Sequence, residues 1–154
     1  MTWLRRNSEA AGFSLLEIIV VIFLISMMLA LVIPSFSVVR EKKIKSDARR
    51  LASVLRYLND SAISTKETFS LVVDFKEKLI VSNGPEGEKT RRFDSLYAVE
   101  LQSKGMVSEG ELIIFFGPLG ASEAFSFFLK DAGAAMTVVF NPLSGRVKVL
   151  EDLP

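Results

Sequence analysis

Gly12-Phe13-Ser14-Leu15-Leu16-Glu17-Ile18-Ile19-Val20-Val21, GFSLLEIIVV, opens the longest apolar stretch of the chain and sets one carboxylate inside it. Between Phe13 and Val39 Glu17 is the one charged residue, and 18–33 is apolar except for Ser26. At about 1.5 Å rise per residue, a helix over 13–36 spans roughly the hydrocarbon core of a bilayer. The run therefore predicts a transmembrane helix. A cleaved secretory signal is the competing reading, but its apolar region is only about 7–15 residues and ends at a small-x-small site. This run is longer, and Met28-Leu29-Ala30 fits such a site poorly.

A lone ionised carboxylate is costly in hydrocarbon. Near a helix N-terminus the macrodipole favours it. Buried among other helices it needs a positive partner or a proton. The run holds no Lys or Arg, so the partner must be the chain terminus, another subunit or another protein.

Working outward, residues 1–12 (MTWLRRNSEAAG) are short and polar, with Arg5 and Arg6 ahead of the run. Pro34 lacks the N–H that the helix ladder needs, so a kink or an end is expected there. The helical pattern then resumes. Ile44, Ala48, Leu51, Leu55, Leu58 and Ala62 recur three and four residues apart and form one apolar stripe. A single helix over about 13–65 is expected, greasy all round at first and amphipathic after Pro34.

From Phe69 the period changes to two. FSLVVDF (69–75) and KLIVS (78–82) predict a hairpin, and NGPEGEKTRR (83–92) reads as a polar loop. LYAVELQ (96–102) is a further strand. ELIIFF (111–116) and AFSFFLK (124–130), around GPLGASE, predict a second hairpin; MTVVF (136–140) and RVKVL (146–150), around NPLSG, predict a third. The soluble part is thus expected to be α+β, with the amphipathic half-helix packed on antiparallel β-sheet.

The chemistry that the composition excludes is broad. With no Cys and no His, thiol nucleophiles, disulfides, Cys/His zinc sites and Ser-His-Asp triads are absent. The carboxylates Glu86/Glu88, Glu109/Glu111 and Glu151/Asp152 lack the spacing of a calcium loop. The glycines form no nucleotide-binding motif. The Phe cluster (Phe115, Phe116, Phe125, Phe127, Phe128, Phe140) reads as sheet core. No enzyme, cofactor or metal is expected. A net charge of +1 argues against a globally basic nucleic-acid binder. The basic run Arg40, Lys42, Lys43, Lys45, Arg49 and Arg50 outweighs Arg5 and Arg6. By charge bias alone it would place that side of the membrane helix in the cytoplasm.

Gly-Phe-Ser-Leu-Leu-Glu followed by an uninterrupted apolar helix resembles the N-terminal signal of type IV pilins and type II secretion pseudopilins, over about 12–36. The resemblance implies that a prepilin peptidase cuts after Gly12, that Phe13 becomes the N-methylated first residue, and that Glu17 and Pro34 are the family's fifth-position Glu and helix-kinking Pro. The remainder resembles, more loosely, the GspH/FimT group of H-type minor pseudopilins, through IIFFGPLGASEAFSFFL (113–129) and the closing MTVVFNPLSGRVKVL (136–150). Ala134-Ala135-Met136 stands where that group often carries a bulky aromatic. The calcium-loop acids of the major type are missing, which implies a minor subunit.

The implied organisation is a leader (1–12), a transmembrane and filament-core helix (13–36), an amphipathic half-helix (37–66) and a periplasmic antiparallel β domain (67–154). The implied location is the inner membrane of a Gram-negative bacterium, with the N-terminus cytoplasmic, opposite to the charge bias. Assembly moves the subunit into a periplasmic pseudopilus. The implied partners are the prepilin peptidase, major and minor pseudopilins, the inner-membrane assembly platform and the membrane itself, and the implied role is export of folded proteins through the outer membrane. The alternative is a minor pilin of a type IV pilus or DNA-uptake apparatus. There Arg146 and Lys148 would touch DNA phosphates or a partner. Nucleic acid is not expected under the first reading.

Overall fold

The computed structural model of the chain describes residues 14–131 and 133–152, with the side chains of 30–41 and of 152 outside that description. One helix, α1 (Leu15–Thr65), precedes ten strands: β1 (Phe69–Asp74), β2 (Leu79–Gly84), β3 (Gly87–Arg92), β4 (Leu96–Leu101), β5 (Gly105–Val107), β6 (Glu111–Gly117), β7 (Gly120–Ala121), β8 (Phe125–Asp131), β9 (Ala134–Asn141) and β10 (Arg146–Asp152). Contacts divide the chain into two compact units, Met1–Ser37 and Val38–Pro154.

In the second unit the stripe Ile44, Ala48, Leu51, Leu55, Leu58 and Ala62 is fully buried. Its three- and four-residue spacing keeps these side chains on one helical face. The stripe joins a single core with the inner faces of two five-stranded antiparallel sheets. Sheet A runs in the order β3-β2-β1-β6-β7 and sheet B in the order β10-β9-β8-β4-β5. The helix closes where Thr65 Oγ1 donates to Ser61 O at 2.8 Å and Lys66 takes φ 61°. That left-handed residue turns the chain off the helix axis.

The hairpins β1–β2 and β9–β10 form as the alternation predicts. Two other expectations fail. The polar stretch 83–92 is not a loop: β3 pairs with β2 from Leu79↔Arg92 to Gly84↔Gly87. Its residues are nearly all exposed because it is the edge of sheet A, so it carries no apolar alternation to announce itself.

The second correction concerns the hairpin expected from 111–116 and 124–130. β6 pairs with β1 and with the two-residue β7, whereas β8 pairs with β4 and β9. After turning tightly at Gly120 (φ 92°), the chain crosses from one sheet to the other. The two strands meet through their rings instead of their backbones. Phe116 of β6 lies edge-on to Phe125 of β8, with centroids 6.1 Å apart, and to Phe140 of β9 at 5.8 Å. Phe125 and Phe140 are register partners and stack at 4.8 Å.

Two close approaches fix how the turns seat. Buried Asn59 lies beneath a turn from each sheet. A Cβ at Gly120 would fall 2.6 Å from its Oδ1, and one at Gly145 would fall 2.9 Å from its Nδ2. Gly84, ending β2, sits against the buried ring of Phe69, and a Cβ there would overlap ring atoms. A rigid ring packed in the core has little room to yield. Gly84→Ala is therefore expected to cost about 1–3 kcal/mol in chemical unfolding of the full chain in nonionic detergent. Gly117→Ala, whose Cβ would meet nothing nearer than 3.9 Å, serves as the near-neutral control. Equal effects of the two would refute this packing account.

Candidate functional site

The first turn of α1 is built by its own sequence. Ser14 Oγ accepts from the backbone N–H of Glu17 at 3.2 Å, and Ser14 O accepts the same N–H at 3.0 Å. Ser14 is thus the N-cap and Glu17 the third helical residue, the spacing of a capping box. The Glu17 side chain is exposed and has no basic partner among the described residues. Around it, from Leu15 to Leu29, thirteen large apolar side chains are exposed on every face of the helix, from Leu15 at 79% to Val20 at 47%. A helix that is apolar all round has no solvated face and requires lipid or other protein around it. The hydroxyl in this stretch is already satisfied, because Ser26 Oγ donates to Ile22 O at 2.7 Å. Glu17 is left as the group in 15–29 that calls for an outside partner.

Gly12 and Phe13, where cleavage and methylation are expected, lie outside the described residues. So does the Pro34 side chain, expected to kink the helix; α1 does not end there. Among the described residues no helix is long and apolar enough to cross a membrane. The described apolar side chains stop at Leu29, short of the roughly 20 residues that a span needs.

The basic run is partly tied down. Lys43 Nζ pairs with Asp94 Oδ2 at 2.9 Å, and Lys45 Nζ with Glu151 Oε1 at 3.1 Å. Lys42, Arg49 and Arg50 have no ion-pair partner among the described residues. The Lys43 ammonium, and then the Arg92 guanidinium at 2.8 Å, hold the Asp94 carboxyl down at about 2. A carboxyl depressed on folding contributes its stability above the ordinary range and loses it as pH falls through the folded value. Carboxyl NMR is expected to show Asp94 titrating near pH 2. Lys43→Ala should move the midpoint back toward 3.8; an unmoved midpoint would remove Lys43 as the cause.

Arg146 and Lys148 share the exposed face of β10, while Val147 between them is buried. The backbone of Val147 is held by Arg56, whose Nη2 donates to its carbonyl at 2.9 Å. Glu151 and Asp152 follow the two cations directly in the chain. Glu151 points toward the helix, where it engages Lys45, and the Asp152 side chain lies outside the described residues. No group of three or more metal-ligating side chains occurs among the described residues. Sequence reasoning missed the cap, although Ser14-Leu15-Leu16-Glu17 carries the S-x-x-E signature in plain view.

No family model, no curated protein and no solved structure matches the chain.

Proposed function

We propose that this chain is a minor pseudopilin, a structural subunit of the type II secretion pseudopilus, with the 13–36 helix held in the inner membrane before assembly and in a bundle of like helices after it. The observation that carries this reading is the 15–29 stretch of α1, apolar on every face and bearing one carboxylate in its first turn. Such a surface suits lipid and a helical filament core equally, so a subunit can exchange one for the other with little change in apolar contact. Glu17 then finds the amine at the N-terminus of a neighbouring subunit, which cleavage before Phe13 would create. In a low-dielectric bundle the pair is strong, though desolvation offsets part of the gain, and its main yield is axial register. The second unit, with its own core, is the periplasmic domain that such a filament would display. Motive force belongs to an ATPase on another chain.

Intact-mass measurement of the chain co-expressed with a prepilin peptidase tests the reading. The expected species begins at N-methylated Phe13. A chain beginning at unmodified Met1, or cut after Ala30, would defeat it.

One observation favours a second reading, a minor pilin of a type IV pilus or DNA-uptake apparatus. Arg146 and Lys148 stand together on an exposed strand face, free of Glu151. A salt-sensitive gel shift with the full-length chain in nonionic detergent would support DNA contact. No shift at low salt removes it.

A further inference from the structure

Between α1 and sheet A lies a trough of about 320 Å³. One wall is a single stripe of the helix, Arg50, Ser53 and Tyr57, at spacings of three and four residues. The other is the face of β3 that carries Lys89 and Arg91, which alternate with Glu88, Thr90 and Arg92 on the opposite face. Buried Val54 and Ser82 lie between them, and Ser82 Oγ is already committed to Lys89 O at 3.1 Å.

Three cations therefore converge on one concave surface. Lys89 has a counter-charge: its Nζ lies 3.2 Å from Glu86 Oε2 and 5.4 Å from the Tyr57 ring centroid. Tyr57 donates its hydroxyl to the same Glu86 oxygen at 3.2 Å. Arg50 and Arg91 have no ion-pair partner among the described residues. Glu86 thus demonstrates at one end of the trough how a chain carboxylate is received there, by an ammonium and a phenol together. The Lys89 hydrogen bond, then that of Tyr57, holds its carboxyl below the usual carboxylate range.

We propose that this trough docks an acidic segment of a partner protein. Two carboxylates of the segment meet the guanidiniums of Arg50 and Arg91, and an apolar side chain lies over Val54 and the Tyr57 ring. The planar forks of two arginines suit carboxylates in bidentate pairs. The apolar floor suits a peptide side chain better than a bare anion. Glu86, held against Lys89 and Tyr57, stands against a polyanion that continues past that end of the trough. The site belongs to the second unit alone and does not rest on the filament reading.

The test uses the full-length chain in nonionic detergent and fluorescence anisotropy with a labelled peptide of alternating Glu and Leu. A Lys/Leu peptide and a labelled oligodeoxynucleotide are the comparison probes. The Glu/Leu peptide is expected to bind at low salt and the Lys/Leu peptide not to bind. The double variant Arg50→Ala/Arg91→Ala should weaken the peptide at least about tenfold, with Arg50→Gln weakening it less, while Arg146→Ala/Lys148→Ala leaves it unchanged. Glu86→Gln, which releases Lys89 and Tyr57, should tighten it. Circular dichroism confirms that each variant is folded. Three results would each overturn the proposal: no peptide binding, equal affinity of the folded double variant, or an oligonucleotide that depends on Arg50 and Arg91 more strongly than the peptide does.

Discussion

Phe116→Ala is expected to lower the unfolding free energy of the β domain by about 3–5 kcal/mol, the range for truncating a large aromatic in a packed core. Phe116 is fully buried and comes from sheet A, yet both of its aromatic partners belong to sheet B. Its ring stands nearly perpendicular to the stacked pair Phe125 and Phe140, at 88° and 87°, and each T-shaped contact adds about 0.5–1.5 kcal/mol beyond burial. Removing it opens a cavity at the place where the two sheets meet. The adjacent Phe115 points outward at 59% exposure, so Phe115→Ala should stay within about 1 kcal/mol. Chemical unfolding of the full-length chain in nonionic detergent, followed by circular dichroism, separates the two. Equal losses for these neighbours would contradict the assignment of faces in β6.

On the proposed pseudopilin reading, Glu17→Ala is expected to leave membrane insertion and cleavage after Gly12 intact while sharply reducing entry into pseudopili. Removing one member of a buried charge pair at an interface costs about 2–5 kcal/mol, or at least about 30-fold in affinity at each contact. The cap adds a second arm to this experiment. Because Ser14 Oγ holds the N–H of Glu17, Ser14→Ala disturbs the first turn while leaving the carboxylate in place. Glu17→Gln preserves the turn and removes the charge. Cross-linking to and co-purification with co-expressed pseudopilins should fall with Glu17→Gln far more than with Ser14→Ala if charge is what matters. Normal co-assembly of Glu17→Ala would sink the ion-pair idea.

Much of the fold was legible because burial leaves a period. The stripe from Ile44 to Ala62 repeats at helical spacing, and β1, β2 and β10 alternate at period two with turn residues bounding their hairpins. β3 was illegible for the complementary reason: an exposed edge strand has no face to hide and so no pattern. The crossing between β6 and β8 was illegible because Gly117-Pro118-Leu119-Gly120 is equally good chemistry for a turn that returns and for one that leaves. The candidate site divides the same way. Glu17 is legible as a charge in an apolar run, and its cap is as local, since Ser14-Leu15-Leu16-Glu17 carries the S-x-x-E spacing. The trough could not be read at all, since Arg50 and Arg91 are brought together only by the docking of helix on sheet across about forty positions of chain.

The contact from Arg56 to Val147 spans 91 positions and that from Lys45 to Glu151 spans 106. During synthesis the stripe of α1 leaves the ribosome long before β10, which ends some 90 residues after Ala62. At about 5–20 residues per second, the interval is roughly 5–20 s. Through that time Leu51, Leu55 and Leu58 have no complete sheet to cover them. The nascent chain therefore offers chaperones two successive apolar helical surfaces, one over 15–29 that stays exposed on every face and one waiting for its own last strand.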